Sequence, residues 1–174
     1  MIRTVGHGAR TAEELVAILT EARVGTLVDV RRFPGSRRHP QFGRDALAGA
    51  IRAAGLEYSW QGETLGGHRT GRTGSRHTAV PSPAFAGYAD HMDTPAFRDA
   101  IDALIAAPQA QVVMCAESDW RQCHRMLIAD ALTIRGARVE HLGAVREPHR
   151  LSPGVRRGED GWPVYDAQPP LPGL

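Results

Sequence analysis

The residue types best suited to chemistry are concentrated between Cys115 and Arg125, where thiols, carboxylates, a histidine and arginines follow one another closely. An apolar run at 112–115 precedes them and predicts a buried strand. The helical pattern at 120–135 predicts a helix directly afterwards. In open α/β sheets, ligands bind at the carboxyl ends of strands, where helix N-termini offer free N–H groups. This turn is therefore the first candidate for a functional site.

Cys115 and Arg121 have the spacing of the thiolate loop of thiol phosphatases and sulfurtransferases, in which the arginine and loop amides hold an oxyanion. Glu117 and Asp119 lie inside that loop, however, and would repel a phosphate and raise the thiol pKa. The alternative is that Cys115 is a small buried strand residue. Thiol-dependent phosphatase or sulfurtransferase chemistry through Cys115 is therefore an alternative interpretation.

Cys123 shares a helical stripe with Leu127 and Ile134, which indicates a packing role. The arrangement C-x7-C-H matches no standard zinc spacing, so we expect no metal and no cofactor. Arg121 and Arg125 oppose the helix dipole at this N-terminus. They require either an anionic ligand or a carboxylate partner from the same turn.

A second cluster follows the predicted strand at 26–30, where Asp29, Arg31 and Arg32 precede a loop at 33–42 that is rich in Pro, Gly and Arg. Arginine with interleaved aromatic rings is typical of a surface that holds phosphates and stacks on bases. The alternative is a solvated basic loop. A long Gly/Arg/Thr-rich segment at 65–82 extends the basic character.

His7 directly follows the first predicted strand, so it falls at the same edge of the sheet as Asp29 and Glu117. Carboxylates with a histidine are the minimum set for general acid–base hydrolysis. A lone histidine is more often structural, and the expected convergence of three groups is what favours a functional role.

The alternation of strands and helices predicts a single-domain α/β fold, with a mostly parallel five-stranded sheet and helices on both faces in a Rossmann-like three-layer arrangement. We expect the domain to span residues 1–147 and an extended Pro/Gly-rich tail to span 148–174. The predicted strands are 2–6, 26–30, 56–60, 112–115 and 138–142.

Composition sets the remaining bounds. The chain has 174 residues, 42% of them hydrophobic, and all 21 basic residues are arginine, which indicates coding bias rather than function. Two cysteines, no signal peptide and no apolar run of transmembrane length predict a cytoplasmic protein with free thiols and no membrane partner.

Several short motifs occur in a fixed order along the chain and together resemble the domain of unknown function 488 family. They are Thr-Val-Gly-His at 4–7, Val-Asp-Val-Arg at 28–31, Phe-Pro-Gly-Ser-Arg-Arg at 33–38 with Pro-Gln-Phe at 40–42, Leu-Gly-Gly at 65–67, Gly-Tyr-Ala-Asp at 87–90, Cys-Ala-Glu at 115–117 and Cys-His-Arg at 123–125. Two departures are Gly8, where the family usually has serine, and the Arg/Gly-rich insertion at 70–82.

The resemblance implies a small cytoplasmic α/β domain and says little about activity. It also implies that the residues matching the motifs form one site. Those residues are His7, Asp29, Arg31, Tyr88, Glu117, His124 and Arg125.

The resulting hypothesis is an enzyme that acts on nucleic acid, DNA rather than RNA, or on a nucleotide. The expected reaction is hydrolysis, in particular N-glycosidic cleavage of a damaged or modified base as in DNA repair. The alternatives are the thiol enzyme and a non-catalytic nucleic-acid-binding module. The expected catalytic residues are Asp29, Glu117, His7 and His124. The expected phosphate- or nucleic-acid-binding residues are Arg31, Arg32, Arg37, Arg38, Gln41, Arg69, Tyr88, Asp119, Trp120 and Arg125.

Overall fold

The computed structural model describes residues 1–35, 38–80 and 82–166. Within these ranges strands and helices alternate, as an α/β fold requires. The strands are β1 Ile2–Gly6, β2 Thr26–Asp29, β3 Glu57–Trp60, β4 Gln111–Cys115, β5 Val139–Leu142, β6 Glu147–Pro148, β7 Val155–Arg157 and β8 Pro163–Tyr165. The α-helices are α1 Ala12–Glu21, α2 Arg44–Ala53, α3 Gly62–Leu65, α4 Ala86–His91, α5 Pro95–Ala106 and α6 Arg125–Ile134.

The central sheet has the strand order β3-β2-β4-β1-β5-β6. Its first five strands in this order are parallel, and β6 pairs with β5 in the antiparallel direction. The predicted mostly parallel α/β sheet is therefore confirmed, with one short strand more than the five expected. β6 has two residues, which is too short for the alternation that reveals a strand in a sequence.

Strand β4 shows how both faces of the sheet are buried. Val112 and Met114 face a core that α1 and α2 complete, through residues such as Leu15 and Leu47. Val113 and Cys115 face the opposite core, which includes residues of α5 and α6. Side chains alternate between the two faces of a strand, so a continuous apolar run is what a sheet covered on both faces requires.

The helix predicted at 120–135 is divided in the structure. A 3-10 turn occupies Trp120–Gln122, Cys123 has extended backbone, and α6 begins at Arg125. The carboxylate of Asp119 accepts a hydrogen bond from the Arg121 backbone N–H and so caps the short turn, not the long helix. This division turns the Cys123 sulfur towards the start of α6.

Residues 149–166 are more ordered than the extended tail predicted at 148–174, and residues 167–174 of that tail lie outside the described residues. Strands β7 and β8 form an antiparallel hairpin. Trp162 and Tyr165 belong to the core beside α6. The guanidinium groups of Arg98 and Arg135 lie 5.1 and 4.7 Å from the Trp162 ring. Residues 149–166 therefore cover one side of the domain.

The Arg/Gly-rich insertion has no regular strand or helix in its described part, yet ion pairs fix it. Arg72 pairs with Asp90 and Asp93, and Arg76 pairs with Asp93 and Asp160. Asp160 lies in the C-terminal hairpin, so these pairs join the insertion to it. The charges of Arg72 and Arg76 are thus already compensated.

Candidate functional site

The carboxyl ends of β1, β2 and β4 meet at one edge of the sheet, because these strands are parallel and adjacent. The residues that follow each strand therefore approach one another. Gly6 shows how closely: a Cβ built on it would overlap the carbonyl oxygen of Glu117. Glycine is required there because the two backbones are in contact.

A cleft of about 370 Å³ opens at this edge. Both thiols, Cys115 and Cys123, contribute to its wall. Glu117 at its mouth is exposed, and its carboxylate makes no hydrogen bond to the residues that the structure describes. Among the predicted site residues, the cleft brings together Arg31, Arg32, Tyr88, Glu117 and His124.

Asp29 is fully buried, and its carboxylate is fully hydrogen-bonded to neighbouring residues. Its carboxylate accepts two hydrogen bonds from the Arg31 guanidinium, at 2.9 and 2.6 Å, and one from the Tyr58 hydroxyl at 2.8 Å. The backbone N–H of Arg31 adds a fourth bond at 3.0 Å. In this geometry Asp29 holds Arg31 in place, and all its strong acceptor directions are used.

Both ring nitrogens of His7 are also engaged in contacts with neighbouring residues. Its ring stacks on Phe42 with the centroids 4.1 Å apart. Nδ1 lies 2.9 Å from the carbonyl oxygen of Gly8, so it carries the proton, and Nε2 accepts from Arg31 at 3.3 Å. Burial lowers the pKa of His7 to about 4.

Arg125 is buried and makes no ion pair with a carboxylate of the described ranges. It is 1% exposed. Its Nε donates to Cys115 Sγ at 2.9 Å, and its terminal nitrogens donate to Thr4 Oγ1 and to the carbonyl oxygens of Glu117 and Ser118. Arginine is always charged in proteins, so this cation is surrounded by thiols and neutral oxygens.

The two thiols share this environment and are in hydrogen-bonding contact with each other. Burial opposes ionisation of Cys123, but contacts with Cys115, His124 and Arg125 outweigh it and hold the pKa of Cys123 well below its ordinary value. Burial and the neighbouring Cys123 raise the pKa of Cys115. The pair therefore gives up one proton easily and keeps the other.

His124 orients the Cys123 sulfur. Its Nε2 lies 3.2 Å from the carbonyl oxygen of Val30, which only accepts, so this nitrogen carries the proton. Nδ1 is then free to accept the proton of the Cys123 thiol at 3.7 Å, while the backbone N–H of Arg125 donates to the same sulfur at 3.4 Å.

Behind Arg125 a chain of buried polar groups crosses to the C-terminal segment. Thr4 Oγ1 lies 2.7 Å from His141 Nδ1, and His141 Nε2 lies 2.9 Å from His149 Nδ1. His149 Nε2 lies 2.9 Å from the carboxylate of Asp130. That carboxylate also accepts from the Tyr165 hydroxyl at 2.8 Å. This row of hydrogen bonds therefore connects the buried Arg125 guanidinium to the buried Asp130 carboxylate.

Acidification is expected to destabilise the fold. Burial lowers the pKa of His141 to about 3 and that of His7 to about 4, so the folded protein keeps both rings neutral. The unfolded chain binds these protons below about pH 6.5, and each contributes about 1.4 kcal/mol per pH unit to the loss of unfolding free energy down to about pH 4. Urea unfolding across this range measures the slope. His141→Gln is expected to reduce this slope, and a slope equal to that of the wild type contradicts the prediction.

Other predicted residues lie outside the cleft. Asp119 and Trp120 border a separate hollow of about 160 Å³, where Trp120 stacks on His141 at 4.0 Å. Arg38 is exposed, and Gln41 donates to the carbonyl oxygen of Arg10. Arg69 lines the neighbouring groove. Arg37 lies outside the described residues.

The site also includes residues that were not among those predicted from the sequence. Cys123 belongs to the core as its helical stripe indicated, and its sulfur also lines the cleft. Phe33 is 71% exposed at the cleft mouth, beside His68. The Leu-Gly-Gly motif at 65–67 was the available signal for His68, since glycines permit close approach of the next residue.

Within 1–35, 38–80 and 82–166, histidines, cysteines and carboxylates form no group of three or more suited to holding a metal ion. In the same ranges, none of the helices combines the length and apolarity needed to cross a bilayer.

Comparison with known proteins agrees with the motifs. No curated protein and no solved structure matches the chain. The family model described as domain of unknown function DUF488 matches residues 11–132, which is more than half of the chain and includes Asp29, Glu117 and the Cys-His-Arg motif at 123–125. The chain therefore belongs to the domain of unknown function 488 family.

Proposed function

We propose that the cleft is the active site of a thiol-dependent hydrolase in which Cys123 is the nucleophile. The observation that carries this proposal is the buried Arg125 cation, whose guanidinium contacts a thiol and no carboxylate of the described chain. We assign the nucleophile to Cys123 and not to Cys115, the position that the C-x5-R spacing indicated, because the Cys123 sulfur accepts the Arg125 backbone N–H and lies beside His124.

An uncompensated buried charge is costly, and proteins pair such charges with an anion. Around Arg125 the groups that ionise are Cys115 and Cys123. Loss of one proton from this pair supplies the missing negative charge. A thiolate at the start of α6 is also favoured by the free N–H groups of the first turn.

The two thiols divide the proton work of a hydrolysis. The Cys123 sulfur attacks an electrophilic centre of an ester or anhydride, a bond forms between them, and the bond to the leaving group breaks. Cys115 gives its proton to the leaving group and becomes the anionic partner of Arg125. Water then attacks the same centre, Cys123 departs as a thiolate, and the remaining water proton returns to Cys115. Glu117 at the mouth is placed to relay that proton.

A second candidate is the carboxylate-dependent hydrolysis of a nucleotide or of DNA, including N-glycosidic cleavage. It is favoured by Glu117, an exposed carboxylate in a cleft that also contains the aromatic residues Phe33 and Tyr88. Asp29, His7 and His124 would position neighbouring groups, since their polar atoms are engaged. Lesion-bearing oligonucleotides scored for abasic sites test it, and Glu117→Gln is expected to abolish product while Cys123→Ser retains it.

The two free thiols also bear on the compartment in which the protein works. Free thiols persist in a reducing compartment, so we place the protein in the cytoplasm.

Ultraviolet absorbance of the thiolate, followed by pH titration, tests the proposal without requiring a known substrate. The wild-type protein, relative to Cys115→Ser/Cys123→Ser, is expected to develop thiolate absorbance at a lower pH than an ordinary thiol does, because Arg125 lowers the energy of the ionised pair. Alkylation followed by peptide mass analysis is expected to assign it to Cys123. Absorbance that rises only above about pH 8.5, as for an ordinary thiol, would overturn the proposal.

A further inference from the structure

An exposed ridge separates the thiol cleft from a second concavity. Arg32, Phe33 and His68 line both the cleft and a neighbouring groove of about 600 Å³, and we call these three residues the Phe33 ridge. Phe33 is 71% exposed, and the Arg32 guanidinium lies 5.6 Å from its ring centroid. An exposed aromatic ring on a ridge between two concavities is a surface on which a flat ligand group can stack.

The groove beside the ridge carries uncompensated positive charge. Arg32 and Arg69 donate to carbonyl oxygens, and neither pairs with a carboxylate within the part of the chain described. Burial, together with repulsion from Arg32, lowers the pKa of Arg69. The Asp90 carboxylate also lines the groove, but it is already paired with the Arg72 guanidinium and accepts a hydrogen bond from the Arg72 backbone N–H. An anion between Arg32 and Arg69 would relieve their repulsion.

The backbone of the ridge is held in an uncommon conformation. His68 has φ 58°, in the left-handed region that side chains other than glycine rarely adopt. The carbonyl oxygen of His68 accepts from Arg32 at 2.8 Å, which fixes the peptide in place. Backbone strain of this kind concentrates at ligand-binding sites.

We infer that this surface binds a nucleotide unit, with a phosphate between Arg32 and Arg69 and the base stacked on Phe33. The unit belongs to a free nucleotide or to a single-stranded nucleic acid, which share this chemistry. The ridge also borders the thiol cleft, so an ester or anhydride next to the bound unit reaches Cys123; this last step alone rests on the proposed function.

Fluorescence anisotropy tests the inference with three probes at low salt: a labelled thymidylate oligomer, an abasic oligomer of equal length, and a labelled thymidine monophosphate. Phe33→Ala is expected to weaken the base-bearing oligomer about tenfold and to leave the abasic one unchanged, because stacking needs the base. Arg32→Gln and Arg69→Gln are expected to weaken both oligomers and to reduce the salt slope by about one each.

Val145→Ala and Arg156→Gln are the matched controls, an exposed apolar residue and an exposed arginine elsewhere, and neither should alter binding. Equal affinity for monophosphate and oligomer identifies a free nucleotide, and tighter binding of the oligomer identifies a strand. Absence of binding to every probe, or an unchanged affinity in Phe33→Ala, overturns the inference. The binding measurement can be repeated in Cys115→Ser/Cys123→Ser, which has no thiolate. Nucleotide binding in this variant therefore tests the inference independently of the thiol titration.

Discussion

Replacement of Arg125 by methionine is expected to lower the free energy of unfolding by about 3–5 kcal/mol. Methionine keeps much of the side-chain volume but donates nothing to Thr4 Oγ1 or to the carbonyl oxygens of Glu117 and Ser118. The buried Thr4 hydroxyl and the two partly buried carbonyl oxygens lose their partner, and urea unfolding measures the loss. The same variant is expected to raise the pKa of the thiol pair, since the cation beside it has gone.

Arg121→Met is the matched control for this variant. Arg121 lies four residues earlier, its side chain is 52% exposed, and it pairs with Asp119 and Glu147 at the surface. Exposed ion pairs contribute about 0–1 kcal/mol. Equal urea midpoints for Arg125→Met and the wild type would show that the buried guanidinium contributes nothing to stability. A pKa of the thiol pair that stays as low in Arg125→Met as in Arg121→Met would show that Arg125 does not stabilise the thiolate.

Replacement of Asp130 by alanine is expected to cost about 3–5 kcal/mol of unfolding free energy. Asp130 is fully buried and accepts hydrogen bonds from His149 Nε2, the Ser152 backbone N–H and the Tyr165 hydroxyl. Alanine leaves these three donors without an acceptor. All three belong to the C-terminal segment, so hydrogen exchange in 149–166 is also expected to accelerate.

The control for Asp130→Ala is Asp102→Ala. Asp102 pairs with Arg135 at the surface, with 49% of its side chain exposed, and its loss is expected to cost no more than about 1 kcal/mol. Similar midpoints for the two variants would mean that Asp130 does not anchor the segment. Unchanged exchange in 149–166 would contradict the anchoring independently of the midpoint.

The sequence was sufficient to predict the parallel sheet because its strands are buried on both faces. The apolar run at 112–115 has no polar interruption, and a βαβ arrangement explains such a run directly. The hairpin in the C-terminal segment gave no such signal. Its strands have three residues each, and Trp162 and Tyr165 lie among prolines, glycines and charges that indicate an irregular tail.

The candidate site was only partly predictable. Parallel topology alone brings the residues after β1, β2 and β4 together, which is why His7, Arg31 and Glu117 were named. What each side chain does there depends on partners from distant parts of the chain. One of the hydrogen bonds that saturate the Asp29 carboxylate comes from Tyr58, on the neighbouring strand β3. Pattern and spacing carry no information about such partners.

The polar chain between Arg125 and Asp130 has a fixed direction. Arginine only donates and a carboxylate only accepts, so every group between them must receive a hydrogen bond from the Arg125 side and pass one towards Asp130. Thr4, His141 and His149 each do so in one orientation. A single tautomer of each histidine fits, with the proton on Nε2. Burial and the nearby Arg125 cation lower the pKa of His141 and keep its ring neutral, so this row of hydrogen bonds keeps one direction, from the buried guanidinium to the buried carboxylate.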